Sequence, residues 1–212
     1  AAAPGTIVVL HACCHNPTGY DISAAQWDQV IEAVKAGKLT PFLDMAYQGF
    51  GHGIAEDGAV VGKFVAAGLD VFVATSFSKS FSLYGERVGA LSIVCATKEE
   101  AAKVLSQLKI MVRTNYSNPP IHGAAIVAQV LGTPELRALW EKELGEMRTR
   151  IKAMRSKLVE GLKAAGVKQD MSFITEQIGM FSYSGLSKDQ MQRLRSEFGV
   201  YGTDTGRMCV AA

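Results

Sequence analysis

With 212 residues, 48% of them hydrophobic, the chain has enough apolar mass for one large domain, or one domain and part of another, and it is not a disordered tail. Its 22 Lys and Arg against 20 Asp and Glu leave a formal net charge of +2, too balanced for a polyanion-binding surface, so no nucleic acid is expected as a partner. Four cysteines, at 13, 14, 95 and 209, include an adjacent pair with neither metal-ligand spacing nor a disulfide framework, which suits reduced thiols in a cytoplasm.

In chain order, Thr6 to His11 is a β-branched run suited to a buried strand, followed by the turn residues Asn16-Pro17 and Gly19. Ser23 and Gln26 make a capping box for a helix with Trp27, Val30, Ile31 and Val34 as its apolar stripe and Gly37 where a C-cap belongs. Pro41 to Met45 reads as a second strand ending near Asp44. Val60, Val61, Phe64 and Val65 suggest a helix, Val71 to Ala74 a third strand and Val88 to Cys95 a fourth. Strands alternating with helical patterns predict crossover units and a mostly parallel sheet.

From Thr97, which pairs with Glu100 as another capping box, the pattern is helical to about Gly166. The longest element begins near Thr133-Pro134 and carries Trp140, Leu144, Met147, Ile151, Met154, Leu158 and Leu162 at spacings of three and four. After Gly166 a smaller α+β segment is expected. It has strand-like residues around Phe173 and Met180 to Tyr183, a capped helix from Ser187 to Phe198 and a final strand near Arg207 to Val210. Ala1 to Leu10 has no basic leader and no apolar run is long enough to cross a bilayer, so no membrane is expected. The sequon Asn115-Tyr116-Ser117 reads as a chance match.

In open α/β sheets ligands sit beyond the carboxyl ends of the strands, and reactive residue types recur at those ends here. His15 to Gly19 follow the first strand, Asp44 and Tyr47 the second, and Ser76, Ser78 and Lys79 the third. Each has a bland alternative: a strand-end Asp as a turn cap, a Tyr as half-buried core, a lone Lys as solvated surface. No GxGxxG follows a strand, and Gly58 to Lys63 is one residue short of a Walker A spacing, which disfavours a dehydrogenase or kinase. His11 and His15 are four apart, but Asn16-Pro17 ends any helix there, so no metal is expected.

Four strings occur together in one order: His15-Asn16-Pro17-Thr18-Gly19; Asp44-Met45-Ala46-Tyr47-Gln48-Gly49-Phe50; Ser76-Phe77-Ser78-Lys79 with Tyr84-Gly85-Glu86-Arg87-Val88-Gly89; and Asn115 to Pro120. In order and spacing the chain resembles the class I aminotransferases, which depend on pyridoxal phosphate. Ser80 to Gly85, Phe181 to Gly185 and Gly206 to Val210 look closer to the bacterial tyrosine (aromatic-amino-acid) enzymes than to strict aspartate enzymes.

The resemblance implies an α/β fold, the fold type I PLP-dependent transferase, with a mostly parallel sheet in a large domain and part of a smaller α+β C-terminal domain. By it, 1–133 belong to the large cofactor-binding domain, 134–165 to a long inter-domain helix and 166–212 to the small domain. Lys79 is then the catalytic lysine that forms a Schiff base with pyridoxal 5'-phosphate and moves the proton. Asp44 pairs with the pyridine nitrogen, with His11 behind it; Asn16 and Tyr47 hydrogen-bond the ring oxygen; Ser76 and Arg87 bind the phosphate. Arg207 holds the substrate α-carboxylate, beside Asn16, and Arg113 binds a distal carboxylate in a neighbouring subunit's site, which implies a homodimer with shared active sites.

The family's glycine-rich phosphate loop, its ring-stacking aromatic and the elements after Arg207 are not in this sequence, so the chain is expected to be a portion of a longer enzyme. The expected reaction is transamination between aromatic or dicarboxylic amino acids and 2-oxoglutarate, with amino-acid and 2-oxo-acid substrates. A strict aspartate aminotransferase, another pyridoxal-phosphate reaction and a non-catalytic fragment are the alternatives.

Overall fold

A computed structural model describes residues 2–211. The chain divides into two compact units, each made of separated stretches. The first holds the residues up to Ala12, Ser23–Ala46 and Gly58–Trp140; the second holds Cys13–Ile22, Tyr47–Asp57 and the residues from Glu141 onward.

The first unit is built on a four-stranded sheet of β1 (Ile7–His11), β2 (Thr40–Met45), β3 (Val71–Ser76) and β4 (Gly89–Val94), in that spatial order. The first three strands are parallel and β4 is antiparallel to β3. The parallel strands need crossovers, which α1 (Ala24–Gly37) and α2 (Ile54–Ala66) supply. Trp27 of α1 meets Phe64 of α2 edge-on at 6.0 Å, over a core in which Leu43, Phe64 and Val71 are fully buried. These helices cover one face of the sheet. On the other, Phe42 stacks on Phe72 at 5.9 Å, while Ile7 and Val9 are 59% and 64% exposed, so β1 is less buried than its apolar run suggests.

Helices α3 (Lys98–Tyr116), α4 (His122–Gly132) and α5 (Pro134–Ala164) follow, and α5 carries the chain into the second unit. There α6 (Phe173–Glu176), β5 (Phe181–Tyr183), α7 (Lys188–Phe198) and β6 (Arg207–Cys209) complete the fold, with β5 and β6 antiparallel. The buried side of α5 presents Leu144, Ile151 and Arg155. Helix α7 has a full capping box of Ser187 and Gln190 and ends at left-handed Gly199.

Three local expectations are corrected. Gly37 is the last residue of α1, and Lys38 takes the left-handed position after it (φ 50°), where its N–H reaches the carbonyls of Val34 and Lys35. Phe173 begins the single turn α6 rather than a strand, since the N–H groups of Ile174 and Thr175 fold back to the carbonyls of Met171 and Ser172. Thr97 does cap α3 by accepting from the Glu100 N–H, but the Glu100 carboxylate accepts from Ala96 instead of closing the box on Thr97.

Candidate active site

In the first unit the polar residues gather at the carboxyl ends of the parallel strands. His11 and Asp44 are register partners on β1 and β2, so they share one face of the sheet, and Asp44 pairs in turn with Ala74 of β3. Strand β3 ends at Ser76, whose Oγ accepts from the Ser78 N–H at 3.2 Å. Lys79 sits half-buried in the turn that follows, and the Phe77 and Phe81 rings on either side of it in sequence meet edge-on at 5.5 Å.

That turn is gripped from α5. Trp140 stacks on Phe81, with centroids 4.6 Å apart, and its indole N–H donates to the Ser80 carbonyl at 2.7 Å. The chain then returns through a 3-10 turn at Tyr84–Glu86 to Arg87, a left-handed residue (φ 53°) whose guanidinium donates to the Tyr84 carbonyl. Ser76 pairs with Gly89, which brings Arg87 to within two residues of the position opposite Ser76. Gly89 is required there, because a Cβ would lie 2.7 Å from the Thr75 carbonyl oxygen. Arg113 lies exposed in the last turn of α3 and hydrogen-bonds the Ser117 hydroxyl.

In the second unit a polar chain joins residues far apart in sequence. Arg207 donates to Asn16 Oδ1 at 2.8 Å, and Asn16 Nδ2 donates to the Tyr47 hydroxyl at 3.3 Å. The Asp21 carboxylate orders the loop carrying Asn16 by accepting the N–H groups of Cys14 and His15 at 2.6 and 2.8 Å. The loop closes at Gly19, whose φ of 74° and whose 2.6 Å approach of a would-be Cβ to the Phe181 carbonyl exclude any side chain. Asp57 organises the Tyr47 loop in the same way, accepting from the N–H groups of Gly49, Gly51 and His52.

Several residues in this unit were not singled out by sequence reasoning. The Phe181 ring lies under Arg207, 4.5 Å from the guanidinium carbon, and meets the Tyr47 ring edge-on at 5.7 Å. Arg155 is 2% exposed and donates to the carbonyls of Ile174, Gly179 and Phe181 and to the Ser182 hydroxyl. Burial lowers its pKa to about 10, which keeps it charged at neutral pH. The signal was a cation four residues beyond Ile151 on the apolar stripe of α5.

Cys13, Cys14 and Asp57 are also brought together, with potential ligand atoms within 4.8 Å. Asp57 already serves three N–H groups. The side-chain hydrogen bond with Cys13, together with burial, pushes the Cys14 thiol far above its ordinary range. A neutral thiol is a poor metal ligand, so the cluster reads as packing.

The whole chain, residues 1–212, matches the family model for aminotransferase class I and II. The chain belongs to this family. It is 63% identical over 207 residues to the aspartate aminotransferase of Pseudomonas aeruginosa and 55% identical over 206 residues to the aromatic-amino-acid aminotransferase of Escherichia coli. These alignments cover 98% and 97% of this chain but 52% of each relative. Among solved structures, the aromatic-amino-acid aminotransferase of Burkholderia pseudomallei covalently bound to pyridoxal phosphate superposes with a TM-score of 0.97 at 69% identity, covering 99% of this chain and 52% of that one. The chain thus spans about half the length of the aminotransferases it matches, and its mixed α/β fold is that of fold type I PLP-dependent transferases.

Proposed function

We propose that the protein is a pyridoxal-phosphate-dependent aminotransferase that exchanges amino groups between aromatic or dicarboxylic amino acids and 2-oxoglutarate. The observation that carries this reading is the chain Arg207–Asn16–Tyr47, in which a guanidinium suited to a carboxylate shares an amide with a phenol suited to an anionic ring oxygen.

The residue types present in each unit suit the parts of the cofactor they are proposed to meet. Its pyridine ring, when bound, supplies the electron sink for the carbanion left at the substrate Cα. Asp44 keeps the ring nitrogen protonated, with His11 as its register neighbour orienting it. Asn16 and Tyr47 hold the ring oxygen. Ser76 and Arg87 hold the phosphate, Arg87 through a planar fork matched to its oxygens. Lys79 would hold the cofactor covalently, and its free amine would serve as the base that takes the proton from the substrate Cα. Arg207 binds the α-carboxylate beside Asn16.

Arg113 serves a substrate's distal carboxylate in the partner subunit of a homodimer; its exposed position at the end of α3 supports this role. A cytoplasmic location accords with four unbridged cysteines. Among the described residues no helix is long and apolar enough to cross a membrane.

The relatives named above divide between aspartate and aromatic enzymes, so a strict aspartate aminotransferase is the second reading. Adding pyridoxal phosphate to the full-length protein, reducing with borohydride and mapping peptides tests the central assignment. The adduct is expected on Lys79, and an adduct on another lysine would overturn it. Transamination of aspartate with no activity toward phenylalanine would select the second reading, and sedimentation tests the dimer.

A further inference from the structure

We infer that Phe181 is a positioning residue whose ring fixes Arg207 and Tyr47 in a single arrangement, so that the carboxylate-binding and cofactor-binding groups of the second unit are set by one side chain. The inference rests on the reading above for the roles of Arg207 and Tyr47, but its geometric content does not.

The β5–β6 register produces the contact. Phe181 pairs with Cys209 and Tyr183 with Arg207, so Phe181 and Arg207 are diagonal neighbours on one face of the ribbon, within reach of long side chains. Ser182, on the opposite face, is fully buried. The guanidinium carbon of Arg207 lies 4.5 Å from the Phe181 ring centroid, where the negative face of the ring attracts the cation. The Tyr47 ring meets the same ring at 85°, the edge-to-face arrangement that aromatic quadrupoles favour.

Phe181 is itself held on two sides. Its carbonyl accepts from Arg155 Nη2 at 2.6 Å, and Gly19 lies close enough to that same oxygen that a Cβ there would clash with it. The hydrogen bond from Arg207 to Asn16 fixes a distance but does not by itself fix the guanidinium plane. The Phe181 face removes that freedom and aims the remaining N–H donors outward as a preformed fork.

The test compares Phe181→Leu with Phe181→Tyr in the full-length protein. Leu keeps an apolar side chain but has no π face, whereas Tyr retains the ring. In the cofactor-free protein, phenylglyoxal modification of Arg207, followed by peptide mass spectrometry, is expected to run several-fold faster in Phe181→Leu and at the wild-type rate in Phe181→Tyr. In the holoenzyme, Phe181→Leu should raise KM for aspartate and phenylalanine alike on the order of ten-fold, with kcat changed much less, and Phe181→Tyr should restore it. Should Phe181→Leu not fold, Phe181→Met carries the same comparison. Unchanged Arg207 reactivity in the ring-less variant would overturn the inference whatever the protein catalyses. Wild-type protein that binds no cofactor but shows the reactivity difference would sink the proposed function and leave the positioning role standing.

Discussion

Trp140 donates its indole N–H to the carbonyl oxygen of Ser80 at 2.7 Å, so the first turns of α5 hold the residue next to Lys79 by its backbone. Lys79 has a long side chain of high conformational entropy, and its proposed role as a covalent anchor requires that the turn beneath it be fixed. Trp140→Phe, which keeps a ring against Phe81 but removes the donor, should cost about 1 kcal/mol. Trp140→Ala should cost about 3 kcal/mol and lower the yield of borohydride-trapped cofactor at Lys79. Urea denaturation and peptide mapping of the two variants check this. Equal trapping in both would mean that the clamp serves stability alone.

Asp44 follows from its place opposite His11 at the ends of two parallel strands. Asp44→Ala should lower turnover by orders of magnitude while leaving the covalent attachment to Lys79 intact, because the proton on the ring nitrogen is lost but the lysine is untouched. Turnover within a few fold of wild type would reduce Asp44 to a strand-end cap.

On the proposed reading, the two arginines separate shared from selective recognition. Arg207→Ala should damage aspartate and phenylalanine reactions alike, since both substrates carry the α-carboxylate. Arg113→Leu should act on dicarboxylates alone. Losing a charged partner costs about 2–5 kcal/mol, or roughly a thirty- to several-thousand-fold fall in kcat/KM. Single-turnover half-reactions with aspartate and with phenylalanine measure the split. Equal losses for both substrates in Arg113→Leu would make that residue structural.

A pH dependence arises beside β6. Asp204 accepts hydrogen bonds from Arg195 and Gln192, and these partners hold its carboxyl below the ordinary value of 3.8. A carboxylate with a depressed folded-state pKa contributes stability that is fully present above its unfolded value and disappears as pH falls through the folded value. The difference in melting temperature between wild type and Asp204→Asn should therefore persist at neutral pH and close as the pH drops below 3.8. A difference that survives well below that range would assign the effect to shape rather than charge.

The elements that depend on local pattern were legible. Ser23 with Gln26 closes its predicted box and Ser187 caps the predicted helix, since each cap is decided by four consecutive residues, whereas Thr97 caps α3 without a box closing on Glu100. The candidate residues at strand ends could be found because strand period and turn residues mark where a strand stops. What the sequence concealed was long-range. Nothing local says that Arg155 faces three carbonyls and a hydroxyl, or that Phe181 lies under Arg207, since both facts come from the meeting of a helix, a loop and a ribbon. Phe173 misled for a similar reason. Its apolar neighbours suit a strand, but among the described residues no strand pairs with it, and Asp170 instead accepts from the Ser172 N–H and hydroxyl ahead of the turn.

The second unit is stitched from three stretches, and its central hydrogen bond, Arg207 to Asn16, spans 191 positions of sequence. A ribosome extruding the chain therefore presents Asn16 and Tyr47 long before Phe181 and Arg207 exist. The loops around Asp21 and Asp57 can order locally in that interval, each by gathering backbone N–H groups on one carboxylate. The β5–β6 ribbon must then arrive and select among the preformed loops, a late closure of large contact order. In a nascent or truncated chain the sheet of the first unit can form first, while the Arg207–Asn16 link is the last to be made and the first to be lost when translation stops short of Arg207.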